Sequence, residues 1–282
     1  MLGSVLFKEL SRDHIVFGTG KSKINNWEKY KSFDLLNENY KELIDWSNPD
    51  LIIHCAALTN SKFCNDNPKE AYLINGFSIK KFLNATNDSV KIIYISTDAV
   101  FPSVTHLAKE QDIKIPENIY GKSKELGEFF LLNSNRKSLI IRTTIVGQNK
   151  LNKGNSLVEW ILNNIKNNEE VVLFNDVLFT PISIWDLTKE ISFLLSYNKF
   201  RSQILHISGT EIISKYAFGV ALSNSVFSNS DNIIEGKISN FKDRVNRSQD
   251  QTLNCSKYQK EFKRKLPNLI STIKNLSQNL EL

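Results

Sequence analysis

The sequence predicts an α/β fold, a doubly wound parallel sheet, and three observations lead to it. Short β-branched apolar runs alternate with longer amphipathic stretches through roughly the first half of the chain. The runs are brief and bounded by polar residues, as strands covered on both faces are. The 282 residues are 41% hydrophobic and 23% charged, enough apolar material for a substantial core. Taken in order, Ser4 to Leu10 reads as a helix, Ile15-Val-Phe17 as a strand and 39–47 as a helix. Leu51-Ile-Ile53 is the next strand, followed by a helix over 68–86 with Pro68 at its first turn. Lys91–Ile95, a helix over 119–133 and Leu139-Ile-Ile141 complete the alternation. Beyond residue 147 the pattern loosens into helices at 155–166, 184–195, 213–224 and 257–278, with short strands near 171–174 and 204–207. This divides the chain into a sheet domain, 1–147, and a smaller lobe, 148–282, that partly returns to the sheet.

Composition excludes several classes. No apolar run approaches the ~18 residues of a membrane span. Three cysteines, Cys55, Cys64 and Cys255, give an odd count without metal-ligand spacing, so neither a disulfide scaffold nor a metal module is expected. Reduced thiols point to a cytoplasmic protein. The net charge of +6 is scattered rather than clustered, which speaks against nucleic acid and suits an anionic small molecule.

Sites in such sheets lie beyond the carboxyl ends of the strands. The chain opens with Met1-Leu-Gly3-Ser4 directly before a helix, like the tail of a glycine-rich phosphate turn without its strand. Gly18-Thr-Gly-Lys-Ser-Lys23 is not a phosphate-binding P-loop, since the required first glycine falls on Ile15. No acid stands at this strand tip. Lys21 and Lys23 could hold a 2′-phosphate there or be solvated loop lysines. After the next strand, Ala56 and Ala57 leave room for a flat ligand. Ser96-Thr97-Asp98 follows the strand after that, and then Tyr120-Gly-Lys-Ser-Lys124. On a helix, positions i and i+4 share a face, so Lys124 could lower the pKa of the Tyr120 phenol and make it a usable acid. A Thr97 hydroxyl nearby would hold a substrate oxygen, and the three together form a carbonyl-reduction set. His54 and His206 read as structural.

With these residues in hand, the chain resembles the extended short-chain dehydrogenase/reductase superfamily, and within it the dTDP-4-dehydrorhamnose reductase branch. The matching pieces are Gly3, Asp34-Leu35, Ala56-Ala57-Leu58-Thr59, Asn75, Ser96 to Phe101, Tyr120 to Lys124 and Arg142-Thr143. Phe174-Asn-Asp176, Pro181, His206 to Gly209, Arg247 and Thr252-Leu253 extend the match over nearly the whole chain. The resemblance implies a Rossmann-like domain over 1–147 and a nucleotide-sugar lobe over 148–282. It implies catalysis by Thr97, Tyr120 and Lys124, with NADP(H) favoured over NAD(H). Gly3, Lys21, Asp34, Leu35, Ala56, Ala57, Leu58, Tyr120 and Lys124 would bind the cofactor, and Thr97, Asp98 and Ile145 the sugar. The implied reaction is reduction of the C4 keto group of a nucleotide-linked 4-keto-6-deoxy sugar, for surface polysaccharide. A homodimer is one expectation for its assembly.

Three departures qualify this. The first strand and most of the glycine turn do not stand before Gly3, which leads to the expectation that the chain is a fragment. Lys62 and Asn65 replace two acids of the related reductases, which weakens a metal-bridged dimer. Ile145 and Gly147 replace two aromatics, which leaves the sugar open. Two other readings share the scaffold: a non-catalytic regulator, like the regulatory subunit of methionine adenosyltransferase, and a nucleotide-sugar epimerase or dehydratase.

Overall fold

The computed structural model describes residues 1–24, 27–36, 39–149, 156–197, 200–241 and 248–281. Its elements, in chain order, begin with α1 (Leu2–Leu10), β1 (Gly18–Gly20), β2 (Tyr30–Ser32), α2 (Tyr40–Ser47) and β3 (Leu51–His54). Next come α3 (Ser61–Asp66), α4 (Pro68–Ala71), a π-helical turn (Tyr72–Phe77), α5 (Ser78–Ala85) and β4 (Lys91–Thr97). A 3-10 turn (Asp98–Val100) leads on to α6 (Ile119–Leu132), β5 (Ser138–Thr143) and β6 (Ile145–Val146). The remainder comprises α7 (Leu157–Lys166), β7 (Val171–Phe174), β8 (Leu178–Phe179), β9 (Ile182–Ser183), α8 (Ile184–Ser196) and β10 (Gln203–His206). It ends with β11 (Ile213–Ser214), α9 (Lys215–Phe227), β12 (Ile233–Gly236), β13 (Asp250–Gln251), α10 (Ser256–Phe262) and α11 (Leu269–Asn279).

The main sheet is parallel throughout, in the order β10-β5-β4-β3. Both faces are covered, as the apolar runs require. On one face Ile93, Ile95, Leu139, Ile141 and Leu205 pack against α1, α8 and α10. On the other, Ile92, Tyr94 and Ile140 meet Ile79 of α5 and Leu131 of α6. Each such isoleucine, fully buried, contributes about 1.5–3 kcal/mol. A separate cluster joins α7, α9 and α11 to β7, β8 and β12, and forms the core of the second half of the chain. The chain returns from there to the main sheet through β10, which pairs with β5.

Several elements differ from the sequence reading. The strand expected at Ile15-Val-Phe17 forms instead at Gly18–Gly20, while Ile15 is 78% exposed. β1 pairs only with β2, which the sequence did not disclose, and the two form a sheet of their own, unbonded to β3 among the described residues. The half-buried Leu51, Ile52 and Ile53 of β3 reflect that unpaired edge, in contrast to the fully buried residues of β4. The helix expected over 68–86 carries the π-helical turn at its centre. The helix expected over 257–278 is two helices, because Lys263 adopts the left-handed conformation (φ 52°) and Pro267 stands before α11.

Candidate active site

Helix α6 carries Tyr120 and Lys124, and its first turn is fixed from outside. Asn118 accepts from the Gly121 amide at 2.9 Å, and Asn65 accepts from the Ile119 amide at 3.0 Å. These bonds satisfy amides that a first turn leaves without helical partners. Gly121 has no space for a side chain, because a Cβ would run into the Ala99 carbonyl. The helix start therefore rests directly on the turn that follows β4.

Thr97 ends β4 and caps that turn. Its hydroxyl accepts from the Ala99 amide at 3.2 Å and lies 3.1 Å from the Asp98 carboxylate. The same side chain is near enough to the Tyr120 phenol to favour its ionised form. Burial holds that phenol well above its ordinary pKa, with Asp98 and Cys64 acting in the same direction and Thr97 opposing. This corrects the expected lowering by Lys124. The ammonium points away, donating to the Ile95 carbonyl at 2.7 Å and lying 3.9 Å from the centre of the Tyr94 ring. At 2% exposure, desolvation brings Lys124 itself down to about 7, against the opposing pull of Glu128 and Cys55. Burial pushes Asp98 up to about 6, and the Lys215 charge at the start of α9 opposes that rise. The site therefore meets the second half of the chain at Asp98.

The loop after β3 is held by Asn75, whose side chain accepts from the Leu58 amide at 2.8 Å and donates to the Leu58 carbonyl at 3.0 Å. It also donates to Ser123 of α6 at 2.9 Å. Ala56, Ala57 and Leu58 are thus fixed relative to the Tyr120 helix. Just past β1, Lys21 pairs with Asp34 at 3.4 Å, and Asp34 also accepts from the Leu36 amide at 3.0 Å. Both bonds hold the Asp34 carboxyl below its ordinary range, and Lys81 donates to the Leu35 and Leu36 carbonyls. An acid from the segment after β2, Asp34, thus stands beside Lys21, just past the end of β1. Gly3 lies in the first turn of α1 against Cys55, where a Cβ would find an ordinary 3.5 Å contact; packing does not demand a glycine there.

Ile145 lies on β6, paired with Ile182 and half-buried against the main core. Its described packing is with that core rather than with the Thr97–Tyr120 pair. Arg247 lies outside the described residues. His54 and His206 are buried and neutral, each lowered to about 3 by desolvation. His206 donates from Nδ1 to the Ala108 carbonyl at 2.9 Å, so its Nε2 accepts from Arg142 at 3.3 Å. Among the described residues no cluster of three metal-ligating side chains occurs.

The geometry has a counterpart in a known family: all of residues 1–282 match the profile described as the RmlD substrate binding domain. The chain belongs to that family. It is similar to the spore coat polysaccharide biosynthesis protein SpsK of Bacillus subtilis, at 33% identity over 62% of this chain and 60% of that one. The dTDP-4-dehydrorhamnose reductase of Escherichia coli is 34% identical over 51% of this chain and 48% of its own. These matches span about half to three-fifths of the relatives' lengths. The methionine adenosyltransferase 2 subunit beta of Xenopus laevis is 26% identical over 80% of this chain and 69% of its own. Among solved structures, the dTDP-4-dehydrorhamnose reductase of Bacillus anthracis in complex with NADP superposes with a TM-score of 0.81 at 23% identity, over 98% of this chain and 95% of that one, and shares its fold.

Two asparagines of this family member escaped the sequence reading as parts of the site. The sequence marks Asn65 only as standing in place of an acid, and Asn118 not at all. The signal available was Asn118 three residues before Gly121, a helix-capping spacing.

Proposed function

We propose that the chain is an NAD(P)H-dependent reductase acting on the C4 keto group of a nucleotide-linked 4-keto-6-deoxy sugar in the cytoplasm. The observation that carries this reading is the approach of Thr97, at the end of β4, to the Tyr120 phenol at the start of α6, with Lys124 buried one turn further along the same helix. The residues present suit a nicotinamide dinucleotide. The Lys21–Asp34 ion pair with Leu35 beside it would meet the adenine end, and the first turn of α1 at Gly3, which no side chain caps, would offer amides to a pyrophosphate. Ala56 to Leu58 would line the passage between them, and Tyr120 and Lys124 the nicotinamide end. NADP is favoured because Lys21, 73% exposed at its side chain, can turn from Asp34 to a 2′-phosphate.

The cofactor, when bound, supplies the hydride. The chain supplies the proton and the geometry. Tyr120 is fully protonated at neutral pH and donates from its phenol oxygen to the carbonyl oxygen as charge develops there. Thr97 holds that same oxygen. Lys124, buried and with its pKa lowered to about 7, is charged in part near neutral pH and lies one helical turn from the phenolate that forms. Asp98 would contact the sugar through its carboxyl, which burial raises to about 6 and which is mostly ionised near neutral pH. The matches to SpsK and to the Escherichia coli reductase support a sugar substrate destined for polysaccharide.

The test is loss of NADPH absorbance on addition of a dTDP-4-keto-6-deoxy sugar. Turnover by the wild type and none by Tyr120→Phe is the expected result; full activity in that variant sinks the assignment. The longer match to the adenosyltransferase subunit favours a second reading, a binder without turnover. Tight NADPH binding with no oxidation on any keto sugar would select it.

A further inference from the structure

Glu128 lies one helical turn beyond Lys124 and two beyond Tyr120 on α6, and it is fully buried. Its Oε1 accepts from the Ser96 hydroxyl at 2.6 Å and from Arg142 Nε at 2.9 Å. Its Oε2 accepts from Arg142 Nη2 at 2.8 Å and from Lys114 at 3.2 Å. These partners come from three places. Ser96 immediately precedes Thr97 on β4, Arg142 lies near the end of β5, and Lys114 belongs to the segment before α6. Arg142 in turn donates to the Glu110 carbonyl at 3.1 Å and to His206 of β10. The carboxyl ends of three neighbouring strands are thereby tied to one carboxylate on the Tyr120 helix.

Stability alone does not call for this arrangement. A buried ion cluster recovers little beyond its desolvation cost, and apolar residues of equal volume hold a core as well. What the cluster adds is a fixed relation between α6 and the end of β4.

We propose that Glu128 is a positioning residue: by holding Ser96 it fixes Thr97 against α6, and so sets the separation between the Thr97 hydroxyl and the Tyr120 phenol. The proposal rests on the reductase reading above. Its charge acts on Lys124 as well, raising the affinity of that amine for its proton. The other groups facing this pair are Lys114 with its partner Glu125, Arg142 with His206, Tyr94, His54 and Cys55.

Ser96→Ala removes only the tether and leaves the ion pairs intact. A misplacement of about 1 Å at a reacting group costs on the order of 100-fold. The variant is expected to lose about 10- to 100-fold in kcat on the keto sugar, with KM and the NADPH dissociation constant within about threefold of wild type. Glu128→Gln, where it folds, is expected to move the pH at which activity depends on Lys124 to lower values. A Ser96→Ala enzyme with unchanged kcat, alongside a Glu128→Gln enzyme whose only defect is a lower melting temperature, overturns the proposal. If the wild type itself turns over no keto sugar, the reductase reading fails and amide hydrogen exchange decides. Faster exchange confined to Thr97–Ala99 and Tyr120–Lys124 in Ser96→Ala supports positioning, and unchanged exchange there refutes it.

Discussion

Replacing Lys124 with methionine is expected to stabilise the protein while removing its chemistry. The ammonium is buried, and its pKa falls from 10.5 to about 7. Glu128 and Cys55 pull the other way, and His54 and Tyr94 are its remaining close neighbours. When the folded value lies below the unfolded one, the unfolded chain binds more protons between the two. Stability from this group therefore rises with pH across that window, from about 7 to about 10.5. At and below neutral pH the full cost is present, on the order of 5 kcal/mol at about 1.4 kcal/mol per pH unit. Methionine keeps most of the stem volume but leaves the Ile95 carbonyl unpaired, at about 1–2 kcal/mol, and gives up the Tyr94 ring contact, at about 1 kcal/mol. The net gain near pH 6 is roughly 2–3 kcal/mol, or about 5 °C in melting temperature for a protein of this size. Thermal unfolding of both proteins is followed by circular dichroism between about pH 6 and pH 10.5. Other titrations occur in both and cancel in the difference. The gain should shrink steadily with rising pH, cross zero within the window and become a loss of about 1–2 kcal/mol at the alkaline end, where only the unpaired Ile95 carbonyl counts. A difference that stays flat with pH, or a wild type more stable at pH 6, refutes the account of a buried, strained ammonium.

Three further outcomes follow from the same geometry. Tyr120→Phe should lower kcat by about 100- to 10,000-fold while NADPH fluorescence titrations give an affinity near that of wild type, because only the proton donor is lost. Lys21→Ala should weaken NADPH binding and leave NADH binding nearly unchanged; equal losses for the two would show that the lysine serves Asp34 alone. Gly121→Ala drives a methyl group into the Ala99 carbonyl and must lift the start of α6 away from β4. A loss of about 1–3 kcal/mol in urea unfolding, together with reduced turnover, is expected; near-normal values for both would mean that the two elements do not rest on each other.

Much of the fold was legible because its signals are local. β4 and β5 are runs of isoleucine and leucine covered on both faces, and no helical period fits them. The errors arose where a distant contact decided the outcome. Ile15-Val-Phe17 has strand composition, yet the hydrogen bonds go to Gly18–Gly20, which takes its partner from Tyr30–Ser32. The π-helical turn over Tyr72–Phe77 lets Asn75 reach Leu58 and Ser123 at once, a requirement set by two other segments and invisible in the local sequence. Lys263, a residue without turn preference, breaks the last helix.

The site was legible in its identities and misjudged in its electrostatics. The spacing of Tyr120 and Lys124 correctly put both residues on one helix, but it carries no information about solvent. Whether an ammonium lowers a neighbouring phenol depends on where its proton-bearing end points, and here the Ile95 carbonyl and the Tyr94 ring hold it on the far side. Burial then raises the phenol and lowers the amine, each toward its neutral form. A proton donor loses nothing by this, since an acid must hold its proton until the substrate oxygen becomes negative. The amine is the costly member, charged only in part near neutrality, and a second negative group is needed to keep it so. Glu128 is that group, and its bond to Ser96 links the charge on Lys124 to the position of Thr97. One buried carboxylate thus couples the electrostatics of the site to its geometry, which is why neither could be read from the three reacting residues alone.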